Sequence, residues 1–225
     1  MLPDRLKPYF SSVRLWYVST FARPVNEFYE EKPVTARLFR QLISKDDVVL
    51  EVGGRVGNAT RKLAQLARFV HSVEADPNNY KLLRAYMKRY HNVRTYEFAA
   101  WNENGQGEMK VANNDSFSGV SSLKGIDGYE YHKMVKINLV TLDSVNFDPA
   151  PNVLAFDCEG AETEALLGCQ KTLRRVKTAI IETHKTLSGY DSKSDIRRML
   201  EESGFSLFED GKWVIGQRMS DLPRA

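Results

Sequence analysis

Val48-Val49-Leu50-Glu51-Val52-Gly53-Gly54-Arg55-Val56-Gly57-Asn58-Ala59-Thr60, closed by Glu74 at the end of a second apolar run, is the stretch on which the fold turns. It reads as strand, glycine turn, helix, strand, acid. Glycines at such a turn let the backbone approach a ligand closely, and an acid about 20 residues further on is placed to hold a ribose diol. A nucleoside cofactor is therefore expected. A dinucleotide fingerprint starting at Gly53 needs glycines where the chain has Arg55 and Asn58, and a phosphate-cradling loop needs a lysine that Asn58-Ala59-Thr60 does not supply. S-adenosylmethionine fits better: it carries adenine and ribose without phosphate, and its cationic sulfonium and amino groups are favoured by nearby carboxylates such as Glu51. The plainer alternative is a turn that only packs a helix on a sheet.

Working outward, 225 residues suit one α/β domain, expected over 46–225, with an N-terminal helical extension over 1–45 packed on it. Apolar and charged fractions of 42% and 27% are those of a globular protein. No apolar run approaches the ~20 residues of a spanning helix, and Leu15 to Ala22 is a poor secretory signal, so a cytoplasmic location is expected. Cys158 and Cys169 are too few for a disulfide framework, and the scattered histidines lack metal-ligand spacing, so no metal is expected. The net charge of +3 resides in the first 23 residues, where Arg5, Lys7, Arg14 and Arg23 face Asp4. With a neutral body, nucleic acid is disfavoured as a partner. The basic, aromatic start could pack on the sheet or weakly touch a membrane surface. Nothing in the sequence specifies an oligomeric state.

Strand and helix patterns alternate after a helical start through Leu42: Val48 to Gly53, Asn58 to Ala67, Phe69 to Ala75 and Pro77 to Tyr90. Asp76 and Pro77 form a helix start. Val93 to Trp101 reads as a third strand. Asn102 to Gly128 reads as a loop-rich insertion, suited to a lid, with one short strand at Glu108 to Val111. Val135 to Val140 is extended, Asn152 to Phe156 is a buried strand, Glu162 to Leu173 a helix and Thr178 to Thr183 a strand. A helix from Ser194 to Ser203 precedes Phe205 to Phe208 and Trp213 to Gly216, joined across Asp210-Gly211 as a hairpin whose last strand runs antiparallel.

A parallel α/β sheet that ends in a helix and a hairpin resembles the class I S-adenosylmethionine-dependent methyltransferases. That implies a Rossmann-like, seven-stranded, mostly parallel sheet with helices on both faces. The likeness narrows at Val140-Thr141-Leu142-Asp143-Ser144, Leu154-Ala155-Phe156-Asp157-Cys158-Glu159-Gly160-Ala161-Glu162, Leu167-Gly168 and Ile181-Glu182-Thr183-His184, which together resemble the FkbM family over residues 47 to 185. The resemblance implies that Glu51, Gly53, Gly54, Gly57 and Asn58 surround the methionine part of the cofactor. It further implies that Glu74, with Ala75 beside it, holds the ribose and that Ala99 and Ala100 border the adenine. Members often carry Asp at the place of Glu51 and Ala-Asn at Gly54-Arg55, so Arg55 is the larger departure.

Asp157 and Glu159 follow one buried strand, and Glu182 and His184 end the next, where open α/β sheets bind ligands. Period-two alternation sends each pair to one side, so these four are the candidate catalytic residues. His184, with an ordinary pKa near 6.5, is the expected general base. Glu182 is expected to orient it or bind substrate, Asp157 to meet the cofactor's amino end or the acceptor, and Glu159 to hold a sugar-like hydroxyl. The plainer roles are helix capping for the two acids and a loop hydrogen bond for His184. Ser116 to Leu123 resembles a family segment near cofactor and acceptor. Methylation of a hydroxyl on a sugar, glycan or secondary metabolite is the expected reaction. RNA or N-methylation, or a cofactor-binding subunit without catalysis, are the alternatives.

Overall fold

Five consecutive residues, Val48–Val52, are buried without exception, which a strand achieves only inside a sheet covered on both faces. The computed structural model describes residues 33–112, 121–126, 128 and 130–218. In chain order these form α1 (Pro33–Leu42), β1 (Val48–Val52), α2 (Asn58–Leu66), β2 (Phe69–Glu74), α3 (Pro77–Met87), β3 (Val93–Glu97), β4 (Ala99–Ala100), β5 (Gly105–Ala112), β6 (Ser121–Ser122) and β7 (Tyr131–Val140). The chain continues through β8 (Val153–Phe156), α4 (Glu162–Leu167), α5 (Gln170–Leu173), β9 (Thr178–Glu182), α6 (Lys193–Glu202), β10 (Phe205–Asp210) and β11 (Trp213–Arg218).

The main sheet has seven strands in the order β10-β11-β9-β8-β1-β2-β3. β1 runs parallel to both β2 and β8, and β11 runs antiparallel to β9 and β10. This is the expected Rossmann-like arrangement. Alternation along the strands divides the core into two layers. Val49, Val153, Ala155, Ile180 and Ile215 face Leu38 and Phe39 of α1 and Leu63 of α2, while Leu50, Leu154, Phe156, Ile181 and Val214 face Leu166, Leu173, Ile196 and Leu200. Burying each such side chain stabilises the fold by roughly 1.5–3 kcal/mol. At the amino ends of the strands, Asp47 accepts from Ser44 N–H at 2.8 Å, Asn152 Nδ2 at 3.0 Å and Lys177 Nζ at 2.6 Å, tying β1, β8 and β9 together. Asp76 caps α3 as its sequence suggests, accepting from Asn78 N–H at 2.8 Å with Pro77 following it.

Of the extension expected over 1–45, helix α1 packs on the sheet; residues 1–32, with the basic aromatic start, lie outside the described residues.

Five expectations need correction. Val93 to Trp101 is two strands, because the chain leaves the main sheet after Glu97 and pairs Ala99 and Ala100 with β7 in a second sheet. Phe98 and Ala100 enter the main core, while Ala99 joins Met109 and Ile137 in a separate one. That second core underlies a four-stranded sheet, β4-β7-β5-β6, where a loop-rich insertion was expected. Val135 to Val140 is the last six residues of the ten-residue β7 in this sheet. The hairpin turns on Gly211 and Lys212, since Asp210 already pairs with Trp213, and Gly211 takes the positive φ of 61° that a type II′ turn needs at its first centre.

The helix expected from Glu162 to Leu173 breaks at Gly168. Its φ of −78° is open to any residue, so the reason for glycine is space. A Cβ there would lie 1.9 Å from the carbonyl oxygen of Trp101. Asp143 then restarts the helix, accepting from Lys171 N–H at 2.7 Å and Thr172 N–H at 2.8 Å. The contact at this junction would be against backbone, which side-chain motion cannot relieve. Gly168→Ala is therefore expected to cost roughly 3 kcal/mol, measurable as a lowered urea midpoint; an unchanged midpoint would refute the crowding.

Candidate active site

At the carboxyl ends of β1 and β8 the two chains approach closely. Gly53 has φ 99°, and a Cβ on it would lie 1.9 Å from the carbonyl oxygen of Asp157, so only glycine fits on both counts. The N–H groups of Gly53 and Gly54 both reach Val73 O, at 2.9 and 3.0 Å. Arg55, also left-handed with φ 49°, donates its N–H to Glu74 Oε2 at 2.7 Å, and Asp76 N–H reaches the other oxygen at 2.8 Å. Burial pushes the Glu74 carboxyl up to about 7, against the lowering by these two N–H groups.

A cleft opens beside this turn, lined by Gly53, Arg55, Glu74, Ala75, Ala99, Ala100 and Asp157. Phe98, Met109, Leu123, Asn79, Cys158, Glu159 and Ala161 are also part of its wall. A nucleoside with a short polar arm matches this donor set: an apolar slot at Phe98 to Ala100, a buried carboxylate at Glu74, and bare backbone at Gly53.

Glu51, Gly54, Gly57 and Asn58, expected around the methionine part, are not on the cleft wall. Glu51 shares the face of Val49, so it points under α2, where it accepts from Thr60 Oγ1 at 2.6 Å and Ser72 Oγ at 2.5 Å. Gly54 backs onto Ser72 and Leu83, and Gly57 onto Met87 and Tyr86. Asn58 begins α2. These residues shape the turn from behind. In the segment 116–123, Ser121 donates to Asp76 Oδ2 at 2.7 Å and Ser122 to Glu159 O at 2.6 Å, linking the second sheet to the cleft rim. Residues 116–120 lie outside the described residues. Burial, reinforced by the neighbouring carboxylates, raises the Cys158 thiol, which makes it a poor nucleophile.

Asp157, Glu159, Glu182 and His184 do converge. His184 Nε2 lies 3.6 Å from Asp157 Oδ1, 3.4 Å from Glu159 Oε2 and 3.8 Å from Glu182 Oε1. A further acid, Glu162, belongs to the cluster: fully buried, it accepts from His184 Nδ1–H at 2.8 Å, Gly160 N–H at 2.9 Å and Ser192 Oγ at 3.2 Å. The sequence reading treated Glu162 only as a helix start. Its signal was an acid on the first turn of a helix that follows two other acids closely. Glu159 itself has φ 51°, a strained conformation for a side chain with a Cβ, and directs its carboxylate toward His184.

This geometry changes the expected role of His184. Burial alone lowers an imidazole pKa, but the Glu162 hydrogen bond and the charges of Glu162, Glu159 and Asp157 outweigh it and raise the value to about 9. The ring is therefore charged at neutral pH and is not the resting base. Because the folded value lies above the ordinary 6.5, the stability it contributes is fully present below pH 6.5 and is lost as pH rises through about 9. NMR titration is expected to place the His184 midpoint near 9, and Glu162→Gln to move it down toward 6.5. A midpoint near 6.5 in the unmutated protein would contradict the arrangement.

A family model, the Methyltransferase FkbM domain, matches residues 47–207. A hexuronic acid methyltransferase, AglP of Haloferax volcanii, is 29% identical over 198 residues, covering 82% of this chain and 76% of that protein. A ribosomal RNA small subunit methyltransferase A of Syntrophus aciditrophicus is 32% identical over 84 residues, covering 34% of this chain and 30% of that protein. Among solved structures, a precorrin-6y C5,15-methyltransferase of Geobacter metallireducens superposes with a TM-score of 0.51 at 14% identity, covering 86% of this chain and 95% of that one. A Streptococcus mutans protein described as a methyltransferase, crystallised with S-adenosylhomocysteine, gives 0.52 at 11% identity, covering 85% and 100%. At those identities the superpositions establish the fold alone. The family match adds the chemistry that the glycine turn and buried ribose acid suggest: this chain belongs to the FkbM methyltransferase family, and its cofactor is S-adenosylmethionine.

Proposed function

We propose that the protein methylates a hydroxyl group of a saccharide. The observation that carries this reading is the polar cluster next to the cofactor cleft, with Asp157 bordering both. Four carboxylates around one imidazole suit hydrogen bonding to a hydroxylated acceptor, whereas a flat apolar base finds no matching wall there. The likeness to a hexuronic acid methyltransferase over most of the chain supports a sugar acceptor. The likeness to a ribosomal RNA enzyme spans only about a third of the chain, so it weighs less.

S-adenosylmethionine supplies an electrophilic methyl group and leaves as a neutral thioether. The protein's part is then to bind, align and move a proton. Glu74 would accept hydrogen bonds from the ribose diol, Phe98 to Ala100 would provide the apolar wall for the adenine, and Gly53 would leave room along the backbone for the methionine arm. Asp157 stands between cofactor and acceptor. Glu159, with a partly exposed side chain at the rim, accepts the hydroxyl hydrogen bond and takes the proton as methyl transfer proceeds. His184, 3.4 Å from it, holds that acid in place. Because the cluster is net negative, a neutral hydroxyl is a better guest than the carboxylate of an acidic sugar.

Radiolabelled methyl transfer to a panel of neutral glycosides, hexuronic acids and ribosomal RNA tests the reading. Label recovered as a sugar methyl ether is expected; label recovered only as a methyl ester, or only in RNA, would reject it. Glu159→Gln is expected to lower kcat about 100-fold, with cofactor affinity unchanged. A ribose diol favours ionised Glu74, so cofactor binding must release its proton below a pH of about 7. Affinity measured by calorimetry is accordingly expected to fall with decreasing pH by up to about tenfold per unit, and Glu74→Gln to remove that slope along with most of the affinity.

A further inference from the structure

A tight turn carries Glu159. Ala161 N–H returns to Cys158 O at 3.3 Å, so Glu159 and Gly160 stand at its centre, with φ of 51° and 94°. Positive φ at both central positions marks a type I′ turn, and of the two residues only the glycine adopts it freely. Glu159 keeps this conformation because its surroundings enforce it.

The enforcement falls on one peptide group. The Glu159 carbonyl accepts from Ser122 Oγ at 2.6 Å, and the Gly160 N–H donates to Glu162 Oε1 at 2.9 Å. The peptide joining Glu159 to Gly160 is thus held at both ends, by β6 on one side and by the start of α4 on the other. Ser122 is itself fixed. It is 2% exposed, and Gly125 N–H donates to its oxygen at 2.9 Å, which leaves the hydroxyl proton for the Glu159 carbonyl. Pairing in the second sheet sets where this hydroxyl points. Ser121 and Ser122 lie opposite Val111 and Lys110 of β5, and consecutive strand residues face opposite ways. Ser121 accordingly reaches Asp76 beside the cofactor cleft, and Ser122 reaches the Glu159 turn. The same segment covers that turn further on, where a Cβ on Gly160 would lie 3.0 Å from Ile126 Cδ1.

From this geometry we infer that Ser122 is a positioning residue for Glu159: its hydroxyl fixes the Glu159–Gly160 peptide and with it the aim of the Glu159 carboxylate at His184 and the acceptor. Freed from Ser122, Glu159 can relax to the negative φ of a type II turn while Gly160 keeps its positive one. The Cα–Cβ bond then swings, taking the carboxylate away from His184 Nε2, which it meets at 3.4 Å. Proton removal from an acceptor hydroxyl suffers as well, because a misplacement of about 1 Å costs a reaction up to about 100-fold. The catalytic consequence rests on the O-methylation reading; the positioning does not.

A plainer role, in which Ser122 only anchors β6, would move stability alone, so the test reads charge. His184 faces Asp157, Glu159, Glu162 and Glu182, and the Glu159 charge is among those that raise its pKa. NMR titration of the full-length protein follows that ring through the signal missing from His184→Gln. Ser122→Ala is expected to weaken proton binding at His184 about threefold, and to weaken it no further when Glu159 is already replaced by Gln. Ser122→Thr, which keeps the hydroxyl, is expected to hold the midpoint. Ser203→Ala removes a hydroxyl-to-carbonyl bond of the same kind just past α6 and is expected to lower stability without moving the midpoint. On a neutral glycoside that the unmutated protein methylates, Ser122→Ala is expected to lower kcat about 10-fold at unchanged S-adenosylmethionine affinity, and Ser122→Thr to restore it. A His184 midpoint unmoved by Ser122→Ala, or moved equally by Ser203→Ala, would overturn the inference. The expected midpoint changes without methylation of any glycoside would instead count against the O-methylation reading alone.

Discussion

The close passage of Gly53 against the carbonyl of Asp157 is the contact on which the active site depends. Two parallel strands, β1 and β8, run side by side as ordinary sheet neighbours until their last residues. There a left-handed glycine lets one chain turn toward α2 while its neighbour continues toward Glu159, and the cleft opens where they part. Any Cβ at Gly53 would push Asp157 away. Asp157 carries the cleft wall on one side and the His184 cluster on the other, so a local steric fact sets the relation between cofactor and acceptor.

The site stores free energy in forms that the rest of the fold avoids. Among the described residues, the two non-glycine residues with positive φ are Arg55 and Glu159, and both border the cleft. Such conformations cost of order 1–3 kcal/mol and persist where surrounding structure enforces them. Protonation equilibria are displaced as well. Burial lifts Glu74 to about 7, while Glu162, Glu159 and Asp157 hold His184 near 9. By contrast His71, equally buried, is lowered by burial and simply joins Tyr96 and Pro149 by hydrogen bonds at 2.8 Å. Two buried histidines thus behave oppositely because one has carboxylate neighbours and the other has a phenol and a carbonyl.

Much of the fold was legible in the chain. Alternating strand and helix patterns, the Asp76-Pro77 helix start and the terminal hairpin all reflect local chemistry, and local chemistry is written in consecutive residues. The second sheet was read as loop because its Gly, Asn and Ser content resembles turns, while the inward row of Met109 and Ile137 becomes a core only when β5 and β7 pair. Gly168 looked like a helix interior because its crowding comes from Trp101, far away in sequence. At the site, Gly53, Glu74, Ala75, Ala99, Ala100 and Asp157 do share one cleft, but Glu51 does not, and its parity with Val49 was the available clue.

The sequence alone determined the alternation of strands and helices, the parallel sheet and the need for a phosphate-free nucleoside cofactor through periodicity and motif spacing, and its resemblance to known motifs pointed to the family. Only the tertiary structure decided which acids serve the turn and which meet the ligand. It also decided that Glu162 completes the His184 cluster and that His184 is charged rather than a resting base. Burial and the distance between charges set these properties, and both depend on which strand ends the fold brings together.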